Sequence, residues 1–211
     1  EVLIPLERLF ALGESPESLT RLVKLSHLNH VIGVRAPERT PIDNAPTSFL
    51  PNEGPSVTGA DQWHAAGFTG AGMKVGIIDP GGYQGFLNLL GSELPPANRV
   101  FIQDGFTAEY LNQLPSGHGT ACAEIIYEMA PDATIYLAYE DESSIGLAKA
   151  IDWLLANNVN VISMSSTNMI GPRDGTGSKV DLVHSATQRG VIWVNSAGNA
   201  AKAHLLMDFT D

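Results

Sequence analysis

Three side chains suited to chemistry, Asp79, His118 and Asn199, each stand where a regular element starts or stops. Asp79 ends the apolar run "MKVGIID" and is followed by the breaker Pro80-Gly81-Gly82. His118 opens "HGTACAEIIYEMA" between Gly117 and Gly119. Histidine is a mediocre helix former and glycine a poor one, so this placement calls for a backbone or chemical reason. Asn199 closes "VIWVNSAGN". Cys122 lies four residues after His118 and shares its helix face. A Cys–His pair is a nucleophile–base combination, but this helix pattern places Cys122 buried beneath the histidine. Taken singly, each residue has an ordinary role: Asp79 as a turn or cap, His118 as a satisfied histidine at a helix start, Asn199 as a left-handed turn residue. Their joint meaning depends on the elements that hold them.

Those elements alternate. "SVTGADQWHAAGFTG" predicts a helix with Thr58 as N-cap, Asp61 three residues on and Gly67 as its stop. Strands are predicted over 73–79, 99–104, 133–139, 160–165 and 191–199. A helix over 118–130 places Cys122, Ile125, Ile126 and Met129 on one face. Over 144–158, Leu147, Ala148, Ile151, Leu154 and Leu155 repeat at helical spacing, and a further helix covers 178–190. This alternation predicts an α/β fold: a doubly wound, mostly parallel sheet with right-handed crossovers and helices on both faces. Ligands of such sheets sit beyond the carboxyl ends of the strands. Asp79 and Asn199 lie at those ends and His118 starts a helix, so all three point to one edge. Residues 1–37 form a small unit of their own, with Leu3, Leu6, Leu9 and Phe10 near helical spacing. Residues 38–56 read as a proline-rich linker, and 57–211 as the α/β domain.

The 211 residues suffice for one sizeable domain, or one and part of a second. A net charge of −11 without any basic cluster argues against nucleic-acid binding. No apolar run approaches the length of a membrane span. A single cysteine excludes an internal disulfide framework and a cysteine-rich zinc site. His27, His30, His64, His184 and His204 form no metal spacing. Two glycine-rich stretches are decoys. "GPRDGTGSK" has its lysine after the serine, where a phosphate loop needs it before, and "GAGMKVGIID" has its glycines ahead of the strand rather than after it. Both ends read as cut from something longer.

From Val57 to His204 the chain resembles the subtilisin-like serine peptidases. Three blocks carry the resemblance, in order: "GADQWHAAGFTGAGMKVGIID", "HGTACAEIIYEMAPDATIYLAY" and "VIWVNSAGN". Between them, "LAKAIDWLLANNVNVISMSS" looks like the family's core helix and the strand bordering its specificity pocket. The resemblance implies that Asp79 orients the imidazole and stabilises its protonated form, that His118 is the general base, and that Asn199 donates to the oxyanion. It implies that Ser165 and Ser166 line the substrate pocket. Gly117 and Gly119 would let the backbone approach closely around the histidine. The implied substrate is a polypeptide, the implied location secreted or extracytoplasmic. No cofactor is required, and the structural calcium common in the family has no assignable ligands here.

The family's nucleophile segment, Gly-Thr-Ser-x-[Ala/Ser/Gly]-Pro, is missing. Twelve residues follow Asn199 and none is serine. The fold is therefore expected to be incomplete at its C-terminus, with the serine on a segment or companion fragment beyond it. Other departures are milder: Pro80-Gly81 replaces the usual Ser or Thr then Gly, and "SMSSTN" lacks the pocket's common Gly-Gly, so substrate preference does not transfer. Residues 1–37 occupy the place of an inhibitory propeptide, or are an unrelated cap. The alternative to a peptidase is a non-catalytic homologue that keeps the sheet as a binding or structural module.

Overall fold

The computed structural model describes residues 54–141, 143–167 and 175–198. The unit expected over 1–37, most of the linker and Asn199 lie outside these residues. Five strands form one sheet: β1 (Lys74–Asp79), β2 (Val100–Ile102), β3 (Thr134–Tyr139), β4 (Val161–Met164) and β5 (Ile192–Asn195). Their order is β2-β3-β1-β4-β5, and every pairing is parallel. From β1 the chain runs to the β2 edge, returns through β3, then crosses β1 to build β4 and β5. The sheet is thus wound in both directions from its central strand, and β1 ends at the point of reversal, where such sheets open a crevice.

Short helices α1 (Gly54–Thr58) and α2 (Ala60–Ala65) precede β1. The end of the expected linker, residues 54–56, is therefore already helical. Thr58 does not cap α2. Its hydroxyl donates back to Gly54 O at 2.7 Å, which closes α1, and Gly59 takes the N-cap position in a left-handed backbone. A hydroxyl that satisfies its own helix's carbonyl is not available to the next helix's N–H groups. After β2 come α3 (Ala108–Asn112) and α4 (His118–Met129); α5 (Ser144–Ala156) links β3 to β4, and α6 (Ser178–Thr187) links β4 to β5. The side chain of Ser143 caps α5 by accepting from Gly146 N.

Alternation along β1 splits the core. Ile77 points to the layer that holds Ala123 of α4, together with Tyr83, Phe86, Leu111, Ile135 and Leu137. Ile78 points to the opposite layer, with Leu147, Ala150, Ile151, Leu154 and Leu155 of α5 and Ala186 of α6. Four of the five residues expected on the buried face of α5 are buried; Ala148 is half-buried and Ala150 takes the fifth place.

The face of α4 differs more. Its buried residues are His118, Gly119, Thr120 and Ala123, whereas Ile125 is 54 % exposed and Met129 36 %. Small residues let the helix axis approach the sheet, so the apolar residues at 125 and 129 turn away from it. Among the described residues, helical cover is also incomplete at the β5 edge. Ile192 and Val194 pair with Val161 and Ser163 on the α4 side of the sheet, and they are 60 % and 52 % exposed. No helix among the described residues is long and apolar enough to cross a membrane.

Candidate active site

Register fixes which residues share the carboxyl edge. Ile78 is level with Ala138 of β3 and Met164 of β4, and Met164 is level with Asn195 of β5. The next step outward carries Asp79, Tyr139, Ser165 and Ser196. Asp79 is fully buried there, an expensive position for a carboxylate unless its oxygens are satisfied. They are. Oδ1 accepts hydrogen bonds from Gly81 N at 2.8 Å and Gly82 N at 3.0 Å, and Oδ2 bonds to Nδ1 of His118. The Pro80-Gly81-Gly82 breaker is therefore also the carboxylate's cradle, a role that its composition did not reveal.

His118 is 5 % exposed. Its backbone N–H donates to Ser116 Oγ at 3.1 Å, which satisfies one of the donors orphaned at the start of α4. Thr120 Oγ1 donates to Gln84 O at 3.0 Å, and Gly119 N to Gly82 O at 3.0 Å, so the first turn of α4 is tied to the loop after β1. Gly119 has no room for a side chain. A Cβ there would lie 2.7 Å from the Tyr83 ring, 2.8 Å from Gly82 O and 2.9 Å from Asp79 Cβ. This is the reason a glycine follows the histidine. Gly117 has no such constraint, since a Cβ would meet only Gln84 O at 3.4 Å; of the expected glycine pair, one is sterically required.

The hydrogen bond to Asp79 raises the pKa of His118 from its ordinary value to about 10, with a smaller contribution from Cys122 and against the effect of burial. Cys122 Sγ lies 4.0 Å from Nδ1. It is half-buried beside the imidazole rather than sealed beneath it. Tyr83 is completely buried under the pair, its hydroxyl 2.8 Å from Ile77 O and 2.9 Å from Ala138 O. Burial and the neighbouring Asp79 charge push its pKa well above the ordinary phenol value, which keeps it neutral.

Sequence reasoning did not single out Tyr83, Ser116 or Gln84, because contacts that depend on a loop folding back leave no periodic signal.

Ser165 and Ser166 follow β4 on the same edge as Asp79. Ser166 is buried, its carbonyl accepts from Asn195 Nδ2 at 3.0 Å, and its hydroxyl makes no hydrogen bond among the described residues. Gly198 sits against Thr167, where a Cβ would approach Oγ1 to 2.7 Å. The turn before Asn199 thus lies beside the serine segment. Asn199 itself is outside the described residues. Asp79 and His118 are in direct contact, and Ser165, Ser166 and the approach to Asn199 share their edge of the sheet.

The chain is 30% identical to Subtilisin E of Bacillus subtilis (strain 168) over 153 residues, 64% of this chain and 36% of that protein. It is 29% identical to Minor extracellular protease Epr of the same organism over 151 residues, 64% of this chain and 21% of the relative. It therefore spans well under half the length of these relatives. Among solved structures, MycP1 from Mycobacterium smegmatis aligns over 79% of this chain and 50% of its own, with a TM-score of 0.48 and 20% identity. The Patellamide maturation protease PatA aligns over 61% and 49%, with a TM-score of 0.41 and 17% identity. A family model described as the subtilase family matches residues 70–207, a span that begins just ahead of β1 and takes in the Asp79–His118 pair and all five strands, and the chain belongs to that family.

Proposed function

We propose that this chain supplies the acid–base half of a subtilisin-like serine endopeptidase. The observation that carries this reading is the hydrogen bond between His118 Nδ1 and a buried Asp79 whose other oxygen is held by two backbone N–H groups. With Nδ1 committed to Asp79, Nε2 is the nitrogen that exchanges protons with substrate. A serine hydroxyl gives its proton to Nε2 as its oxygen attacks the scissile carbonyl. Asp79 stabilises the imidazolium, Asn199 donates its side-chain amide to the oxyanion, and the imidazolium then protonates the leaving amine. Ser165 and Ser166 border the substrate. The nucleophile comes from a serine outside these 211 residues, on a following segment or a companion fragment. The protein works outside the cytoplasm, as the name of its relative Minor extracellular protease Epr suggests.

The test is fluorophosphonate labelling of the protein as isolated from its source, with the modified peptide located by mass spectrometry. A label on a serine outside the 211 residues, lost on His118→Ala, supports the reading. No label on a confirmed intact protein overturns it in favour of a non-catalytic module.

A further inference from the structure

The β4–β5 pairing stops short of the residues that the peptidase reading places beyond it. Its last matched pair is Met164 with Asn195, and Ser196 N donates to Met164 O at 3.2 Å. Ser165, Ser166 and Thr167 follow that pair on the β4 side, and the turn that leads to Asn199 follows it on the β5 side. Asn195 carries the pairing further with its side chain. Nδ2 donates to Ser166 O at 3.0 Å and to Ser196 O at 3.0 Å. One amide therefore holds both the segment leaving β4 and the first peptide of the turn. The Ser166 hydroxyl makes no hydrogen bond among the described residues, so the carbonyl and not the side chain ties this residue to β5.

The direction in which that amide faces is fixed as well. Trp193 stands two residues back on the same face of β5, and its Nε1 donates to Asn195 Oδ1 at 3.2 Å. An indole nitrogen only donates, so the atom that meets it is the amide oxygen, and the NH2 group is left facing the two carbonyls. Gly198 adds a second contact between the same two segments. Its backbone is left-handed at φ 80°, and a Cβ there would come within 2.7 Å of Thr167 Oγ1. Only a glycine permits that approach.

We propose that Asn195 is a positioning residue, oriented by Trp193, that sets where the Asn199 turn stands relative to Ser165, Ser166 and Thr167. This role rests on the peptidase reading, whereas the hydrogen-bond relay does not. Of the two segments that the relay joins, the one after β5 is the less constrained. β4 is paired on both sides, by β1 and by β5, while β5 is the outermost strand among the described residues. Loss of the amide therefore displaces the turn more than the pocket segment. A donor such as Asn199 acts only at hydrogen-bond distance from the developing oxyanion, and an error of about 1 Å costs roughly 10²-fold in rate. Substrate contacts along Ser165 and Ser166 change little, so the effect falls on kcat rather than on KM.

Asn195→Asp tests the role most directly. It keeps the shape but sets a carboxylate oxygen against Ser166 O and Ser196 O, where a donor stood. In the complete peptidase, kcat should fall roughly 10–100-fold while KM stays within about twofold. Trp193→Phe keeps a ring in the packing but frees the amide to turn over. It should lower kcat by a smaller factor, and it carries the same test should Asn195→Asp fail to fold. An unchanged kcat in both variants overturns the proposal, as does a loss confined to KM. The relay also has a readout that needs no activity. The chain has three tryptophans, and Trp193→Phe identifies the Trp193 indole N–H among their NMR resonances. In the wild type that proton should exchange with solvent roughly tenfold more slowly than in Asn195→Ala, the worth of one hydrogen bond. Equal exchange in the two overturns the relay. Failure of fluorophosphonate labelling beside a protected indole proton would overturn the peptidase reading and leave the relay standing. Successful labelling with kcat unchanged in both variants would overturn the positioning role alone.

Discussion

At the residue scale the decisive contact is between one carboxylate and one imidazole. Asp79 holds His118 through Nδ1 and raises its pKa to about 10, so the imidazole is largely protonated at neutral pH. A general base must be deprotonated to act. On the proposed reading, kcat/KM therefore climbs with pH from neutrality toward about 10 rather than levelling near the ordinary imidazole value. A profile that is flat above pH ~7 would contradict this. Asp79→Asn removes the hydrogen bond's charge and should lower kcat roughly 10⁴-fold, the scale known for the aspartate in serine peptidase triads, subtilisin included. The same variant should return the pH profile toward the ordinary histidine range, a shift that general loss of fold would not produce. The pairing of Asp79 with His118 was legible from the motifs, because each block names its own residue. The cradle at Gly81 and Gly82 was not, since "PGG" reads equally well as a plain breaker.

At the element scale, α4 is placed by what it lacks. Gly119→Ala would drive a methyl group into the Tyr83 ring, Gly82 O and Asp79 Cβ, and Gly82 O is backbone, which cannot swing aside as a flexible side-chain end can. The expected cost is about 1–3 kcal/mol of stability, together with loss of the Asp79–His118 geometry. Denaturant melts beside the His118 imidazole resonances would check both. Leu154→Ala, in the layer beneath α5, tests the other core: Leu154 is fully buried, and its removal should cost about 2–5 kcal/mol without touching the imidazole signal. Glu124, on α4, has its pKa raised by burial and by the charges of Glu93 and Glu128. Its ionised form is disfavoured in the fold, so stability is gained as pH falls through its pKa, and Glu124→Gln should stabilise the neutral-pH protein by roughly 0.2–1 kcal/mol. A variant that melts lower than wild type at pH 7 would count against this. Helical periodicity read α5 well because its apolar stripe faces a sheet directly. On α4, Cys122 and Ile126 of the expected face pack against the core, whereas close approach through Gly119 and Ala123 leaves Ile125 and Met129 on the outside. The alternation of strands and helices gave the parallel sheet. It could not give the bare face at Ile192 and Val194, because cover depends on elements elsewhere in the chain and not on the strand's own pattern.

At the scale of the whole molecule, the proton that would disable His118 as a base on the proposed reading also stabilises the fold. His118 has a folded-state pKa above its unfolded value, so the stability it contributes is fully present below pH ~6.5 and is lost as pH rises to about 10. Activity on the proposed reading rises across that same window. Stability and activity must then run in opposite directions over one titration, in a chain whose net charge of −11 already disfavours compaction as the remaining cations titrate. The two sources of alkaline instability separate by comparison. Thermal midpoints of the wild-type chain and of His118→Asn, followed from pH 6 to pH 10, share the net-charge effect but only the wild type contains the imidazolium–carboxylate pair. The wild type should start higher and converge on the variant as the pH approaches about 10. Parallel curves across the range would mean that the pair does not stabilise the fold, and that the buried Asp79 carboxylate is satisfied by the Gly81 and Gly82 N–H groups alone.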